Sequence, residues 1–136
     1  MDKSYDEIAI LLKCHLIVEH YLDIYLVEEL GLKELKKAKL NFYNKVNLLP
    51  ENKVVYFVKP GIIKLNNLRN KVAHNLNVEF TKDDLGQILS ILKIAREDIE
   101  NCSFIESIEK FTVLACTWLS PPDSKIQSYF VESTSH

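Results

Sequence analysis

The stretch Leu65-Asn66-Asn67-Leu68-Arg69-Asn70-Lys71-Val72-Ala73-His74-Asn75-Leu76 lies in mid-chain. Pro60-Gly61 opens a helix over it, and Asn75 and Asn77 bracket the expected end. Each residue of a helix advances roughly 100°. Ile62, Leu65, Leu68, Val72 and Ala73 therefore fall on one apolar arc, with Asn66, Asn67, Asn70 and His74 as a polar stripe beside it. An arc of this width has to bury itself against other helices. Arg69 falls inside the arc, where a lone guanidinium is costly unless a carboxylate or phosphate pairs with it. That misplaced charge is the first sign of a site.

The run Arg69-Asn70-Lys71-Val72-Ala73-His74 resembles the Arg-x4-6-His signature of the HEPN superfamily. Asn directly after the Arg, a small residue before the His and a long N-terminal helix add to the likeness. The helix pattern resembles that family over about residues 4–120, but only the six-residue motif is specific. The resemblance implies a small helical bundle, often a metal-independent ribonuclease. It also implies catalytic roles for Arg69, Asn70 and His74, with Lys71 in support, and two motifs lining a cleft between the subunits of a homodimer. One subgroup carries a Tyr two positions after the His. Leu76 stands there in this chain, so the chemistry of that Tyr does not carry over.

At 136 residues the chain forms one domain, a bundle over residues 1–120 followed by a partly flexible tail over 121–136. Hydrophobic residues at 47% and charged residues at 26% mark an ordered globular chain. Three Gly and four Pro are too few for a turn-dense β-sandwich. A net charge of −2 argues against strong non-specific nucleic-acid binding, so any RNA contact has to be local. Cys14, Cys102 and Cys116 are odd in number, far apart and set in apolar patterns, which predicts buried free thiols. No apolar core of a secretory signal follows Met1-Asp2-Lys3. Lys13, Glu19, Asp23, Glu28 and Glu29 interrupt the apolar run at 8–30, so no membrane span is expected. The chain reads as cytoplasmic.

Ser4-Tyr5-Asp6-Glu7 reads as a capping box that starts a helix running to about Leu30, with Gly31 past its end. Ile8, Leu12, Leu22 and Leu26 mark its main stripe, and Ile10, Leu16, Ile17, Ile24 and Val27 cover more than one face. This helix is expected at the centre of the bundle. His15 and Glu19 share a face of it. They are either a satisfied polar pair or, for Glu19, the carboxylate that Arg69 needs; no further ligand at helical spacing makes them a metal site.

Leu32, Leu35, Phe42, Val46 and Leu49 describe a second amphipathic helix, which Pro50 ends. Lys33, Lys36, Lys37, Lys39 and Lys45 lie mainly on its other side. That run is a solvated face or a weak RNA-binding patch, with Lys33, Lys36 and Lys37 as the candidates. Residues 51–59 read as a loop or short helical turn capping the core. Thr81 caps a helix with the stripe Leu85, Ile88, Leu89, Leu92, Ala95 and Ile99. Ser103 and Glu106 box the start of the last one, through Ile108, Phe111, Ala115 and Trp118. The fold class is all-α, an antiparallel bundle of about five helices.

Cleaving RNA without a metal takes a base for the 2′-hydroxyl, charge stabilisation at phosphorus and an acid for the leaving oxygen. Arginine clamps phosphate oxygens bidentately, and imidazole exchanges protons near neutral pH. Within one helix Arg69 and His74 point roughly 140° apart. They converge only if the helix unwinds near His74 or if two copies meet across a two-fold axis, which would make the apolar arc carrying Arg69 a dimer interface. No Gly-rich phosphate loop, His-Glu-x-x-His, paired-Cys zinc spacing or serine elbow is present, so no cofactor or metal is expected. His20 and His136 stand alone. The resulting expectation is an endoribonuclease of a toxin–antitoxin or phage-defence system, with RNA as substrate and an antitoxin or system protein as partner. The alternative is a non-catalytic interaction module or transcription regulator.

Overall fold

A 26-residue helix holds in a bundle when one continuous stripe anchors it. Ile8, Leu11, Cys14, Val18, Leu22, Tyr25 and Leu26 supply that stripe at three- and four-residue spacing, and all are buried. In the computed structural model, which describes residues 3–29, 31 and 39–120, they lie along α1 (Lys3–Glu28). Ser4 lies within the helix rather than at its cap. Leu12 is at the flank of the stripe and only half-buried, whereas Leu11 and Val18 are fully covered. Gly31 takes φ +69°, a left-handed conformation that suits glycine past a helix end.

The other helices gather on α1. It packs chiefly against α5 (Phe104–Leu119), and it also meets α3 (Lys59–His74) and the short α2 (Phe42–Val46). The fourth helix, α4 (Gln87–Ile94), packs on both α3 and α5. Two 3-10 turns, Val54–Val58 and Lys82–Leu85, complete the described elements. The chain is an all-α bundle of five helices, as its periodicity predicts, with no strand among the described residues. The turn at Val54–Val58 caps the core through buried Val55 and Val58. None of the described helices is long and apolar enough to cross a membrane.

Two expected helices are broken where their hydrophobic period runs on. The predicted helix over 32–49 is not continuous: Lys39 has φ +51°, and Asn41 is an N-cap whose side-chain oxygen accepts from the Asn44 N–H at 2.8 Å. Only Phe42–Val46 is helical between them and Pro50. Lys33, Lys36 and Lys37 lie outside the described residues, as does the tail over 121–136. The helix expected from Thr81 is likewise split. Thr81 donates its N–H to Asp84 at 2.8 Å and caps a 3-10 turn, Gly86 at φ +51° interrupts the chain, and α4 stops before Arg96 at φ +61°. Ile99 of the predicted stripe thus sits beyond the helix. The box at Ser103 and Glu106 forms as predicted, with both bonds at 3.2 Å.

Helix α3 is seated by its own N-terminal turn. Pro60 occupies the first turn, where its missing N–H is harmless. Gly61 lies against the Phe111 ring, and a Cβ built there would also come within 2.9 Å of Ile91. Ile62, Leu65, Leu68 and Val72 are buried, as the arc requires, but Ala73 and Arg69 are exposed. By angle Arg69 still falls between Leu65 and Ile62, but it lies nearer the C-terminal end of α3, on the wall of a cleft, and is exposed there. The guanidinium therefore pays no burial cost. The arc itself is covered within one chain, so it is no dimer surface. All three cysteines are buried free thiols, and burial pushes Cys116 up to about 12.

Candidate functional site

Helix α2 is only five residues long, yet it touches both α1 and α3. Asn41 starts it, and Phe42 and Val46 anchor it in the core. Lys45 holds it to α1 with Nζ 2.9 Å from Asp23 Oδ1 and 3.4 Å from Glu19 Oε2. Burial works to lower the Lys45 pKa, but hydrogen bonds and charges from Asp23 and Glu19 outweigh it and the net shift is upward. Lys45 thus turns inward rather than onto the solvated face expected of it. Glu19 likewise has Lys45 as its partner, and the Glu19–Arg69 ion pair, one of the two readings of Glu19, does not form.

Between α1, α2 and α3 lies a cleft of about 370 Å³. From α1 it is lined by His15 and Glu19; Asn41, Phe42 and Tyr43 form the α2 side. Asn66, Arg69 and Asn70 come from α3. Spacing on a helix explains the last three, because positions three and four apart share a face. The volume falls in the roughly 300–1,000 Å³ range of small-molecule sites.

His15 forms the inner wall at 6% exposure. Its Nε2 is 3.0 Å from Asn66 Oδ1, and an amide oxygen only accepts, so Nε2 carries the proton. The Phe42 ring lies against the imidazole, centroids 4.3 Å apart. Burial lowers the His15 pKa below 6.5; the Asn66 bond and Glu19 oppose that shift and the Arg69 charge adds to it. A histidine with a depressed folded pKa binds fewer protons folded than unfolded. Its contribution is therefore complete above pH 6.5 and lost as pH falls below it. The urea midpoint should decrease between about pH 7 and about pH 5, and His15→Gln should flatten that part of the slope. An identical slope in the variant would place the titration elsewhere.

Of the residues singled out in the sequence, His15, Glu19, Arg69 and Asn70 share this cleft. His74 does not line it; it is exposed at the last position of α3, and Lys71 is exposed in the same final turn. The helix stays regular to its end, with Asn75 N–H bonded to the Lys71 carbonyl at 2.9 Å, so no unwinding brings His74 round to Arg69. Among the described residues Arg69 makes no hydrogen bond or ion pair. No protein-family model, curated protein or solved structure matches the chain. The described residues contain no group of three His, Cys, Asp or Glu placed to hold a metal ion.

Phe42, Tyr43, Asn41 and Asn66 belong to the cleft although the sequence reading gave none of them a site role. The available signal was Asn41 directly before an aromatic pair, since Asn is a preferred N-cap.

Proposed function

We propose that the protein is a metal-independent endoribonuclease of HEPN type, cutting RNA through the substrate's own 2′-hydroxyl. The observation that carries this reading is the unpaired Arg69 guanidinium, exposed beside Asn70 on the wall of a polar cleft. Its position within Arg-Asn-x-x-x-His supports it further. Arg69 clamps the non-bridging phosphate oxygens, and the Asn70 amide donates to the same group. His74 exchanges the proton. The 2′-oxygen bonds to phosphorus as its proton leaves, the P–O5′ bond breaks, and O5′ gains a proton, leaving a 2′,3′-cyclic phosphate.

Because His74 of one chain stands apart from Arg69, the complete site takes two copies of the chain, each giving one of the pair. The faces that meet are the exposed ones carrying Arg69, Ala73 and His74, not the buried arc. Such an enzyme works in the cytoplasm within a toxin–antitoxin or phage-defence system, restrained by an antitoxin or system partner.

The separation of Arg69 from His74 also favours a second reading, a non-catalytic HEPN-like module that binds protein or represses transcription. Incubation with RNA separates the two. Cleavage should survive EDTA, yield cyclic phosphate ends and fail when the cleaved nucleotide is 2′-deoxy, and light scattering should report about twice the 15.8 kDa chain mass. Uncut RNA and a monomeric mass would select the binding module.

A further inference from the structure

We infer that the cleft between α1, α2 and α3 holds one unpaired nucleotide of a single strand, its phosphate on Arg69 and its base against the Tyr43 ring. The inference rests on the reading that Arg69 binds a phosphate of RNA.

Several residues lining the cleft have donors to spare. Asn41 and Asn66 commit their side-chain oxygens to Asn44 N–H and to His15, which leaves their amide nitrogens free to donate. Asn70 adds another amide, and Arg69 a full positive charge without a partner. Glu19 is the one carboxylate on the wall, and Lys45 already holds it. A ligand suited to these groups carries several acceptors and a negative charge.

The aromatic groups narrow it further. Phe42 is already covered by His15. Tyr43 also lines the cleft, is 52% exposed and has no ring stacked on it among the described residues. Phosphate, base-edge acceptors and a flat face together describe a nucleotide. A base inside a duplex has its faces stacked and its edge paired, so a duplex cannot offer all three at once, whereas an unpaired nucleotide of a single strand can. A net charge of −2 adds that binding depends on these local contacts rather than on a general positive field.

The test is binding of a labelled 2′-deoxy single strand, which 2′-hydroxyl attack cannot cut, to the full chain by fluorescence anisotropy. Tyr43→Ala should weaken binding about tenfold or more, and Tyr43→Phe should restore it. A duplex of the same sequence should bind all three proteins alike. Unchanged strand affinity in Tyr43→Ala, with Arg69→Ala still defective, would overturn the nucleotide cleft and leave the phosphate role of Arg69 standing. No loss in Arg69→Ala would remove both. A mononucleotide bound as tightly as the strand would also overturn the assignment, in favour of a free nucleotide. Tyr43 is exposed, so an unchanged melting curve for its variants will tie the loss to binding.

Discussion

Phe111→Ala is expected to destabilise the protein by about 3–5 kcal/mol, the range for emptying a fully buried aromatic site. Phe111 is 0% exposed on α5, and its ring fills the space beside Gly61 at the start of α3. The whole domain has about 5–15 kcal/mol to lose, so the variant should unfold at a much lower urea midpoint. Gly61→Ala tests the same contact from the other side. Its Cβ would run into the Phe111 ring and the Ile91 methyl. That overpacking costs about 1–3 kcal/mol, against a helix-propensity gain of about 1 kcal/mol. The two changes together should cost less than their sum, because the new methyl partly fills the cavity left by the ring. Additive costs, or a Phe111→Ala loss under about 1 kcal/mol, would show that this contact does not seat α3.

Arg69 shows where an angular reading of the same helix stops short. Counting apolar residues from Ile62 to Ala73 puts Arg69 inside the arc. What decides the matter is position along the helix: Ile62 and Leu65, on either side of Arg69 by angle, are buried, whereas Arg69 stands where α3 borders the cleft. Arg69 and Ala73 are therefore exposed, and the guanidinium needs no carboxylate. Local signals were reliable where they act within a few residues: the Ser103–Glu106 box and Pro60 mark true helix starts. A hydrophobic period, by contrast, says nothing about backbone sign. Leu35, Phe42, Val46 and Leu49 keep step across Lys39, and Leu85 and Ile88 keep step across Gly86, yet both points have positive φ.

The motif half of the site was readable because Arg69, Asn70 and His74 lie within one helix. The other wall was not. His15 meets Asn66 across 51 positions, and Lys45 reaches Glu19 across 26. The first depends on how α3 packs on α1 and the second on where the short α2 sits against them, which no spacing rule encodes. Lys45 shows the consequence: a lysine that patterning assigns to a solvated face becomes a half-buried clasp once α1 supplies two carboxylates.

His74→Ala should slow RNA cleavage by about 10²–10⁴-fold, the usual loss for a general acid or base. Arg69→Lys should be severely damaging too, since an ammonium cannot reproduce the planar two-pronged contact with phosphate. Both side chains are exposed, so neither change should move the urea midpoint by more than about 0.5 kcal/mol of stability. That separation of rate from stability distinguishes chemistry from the dipole-stabilising role that Lys71 and His74 can play in the last turn of α3. The arrangement across two copies makes a sharper demand. In each homodimeric variant every site lacks one of the two groups. Mixing Arg69→Ala with His74→Ala chains and letting subunits exchange creates heterodimers in which one of the two sites is whole, so activity should return to a fraction of wild type. If each variant retains wild-type cleavage, the Arg–His assignment is wrong. If the variants are dead and mixing restores nothing after exchange is shown by mass, the pair does not assemble between chains.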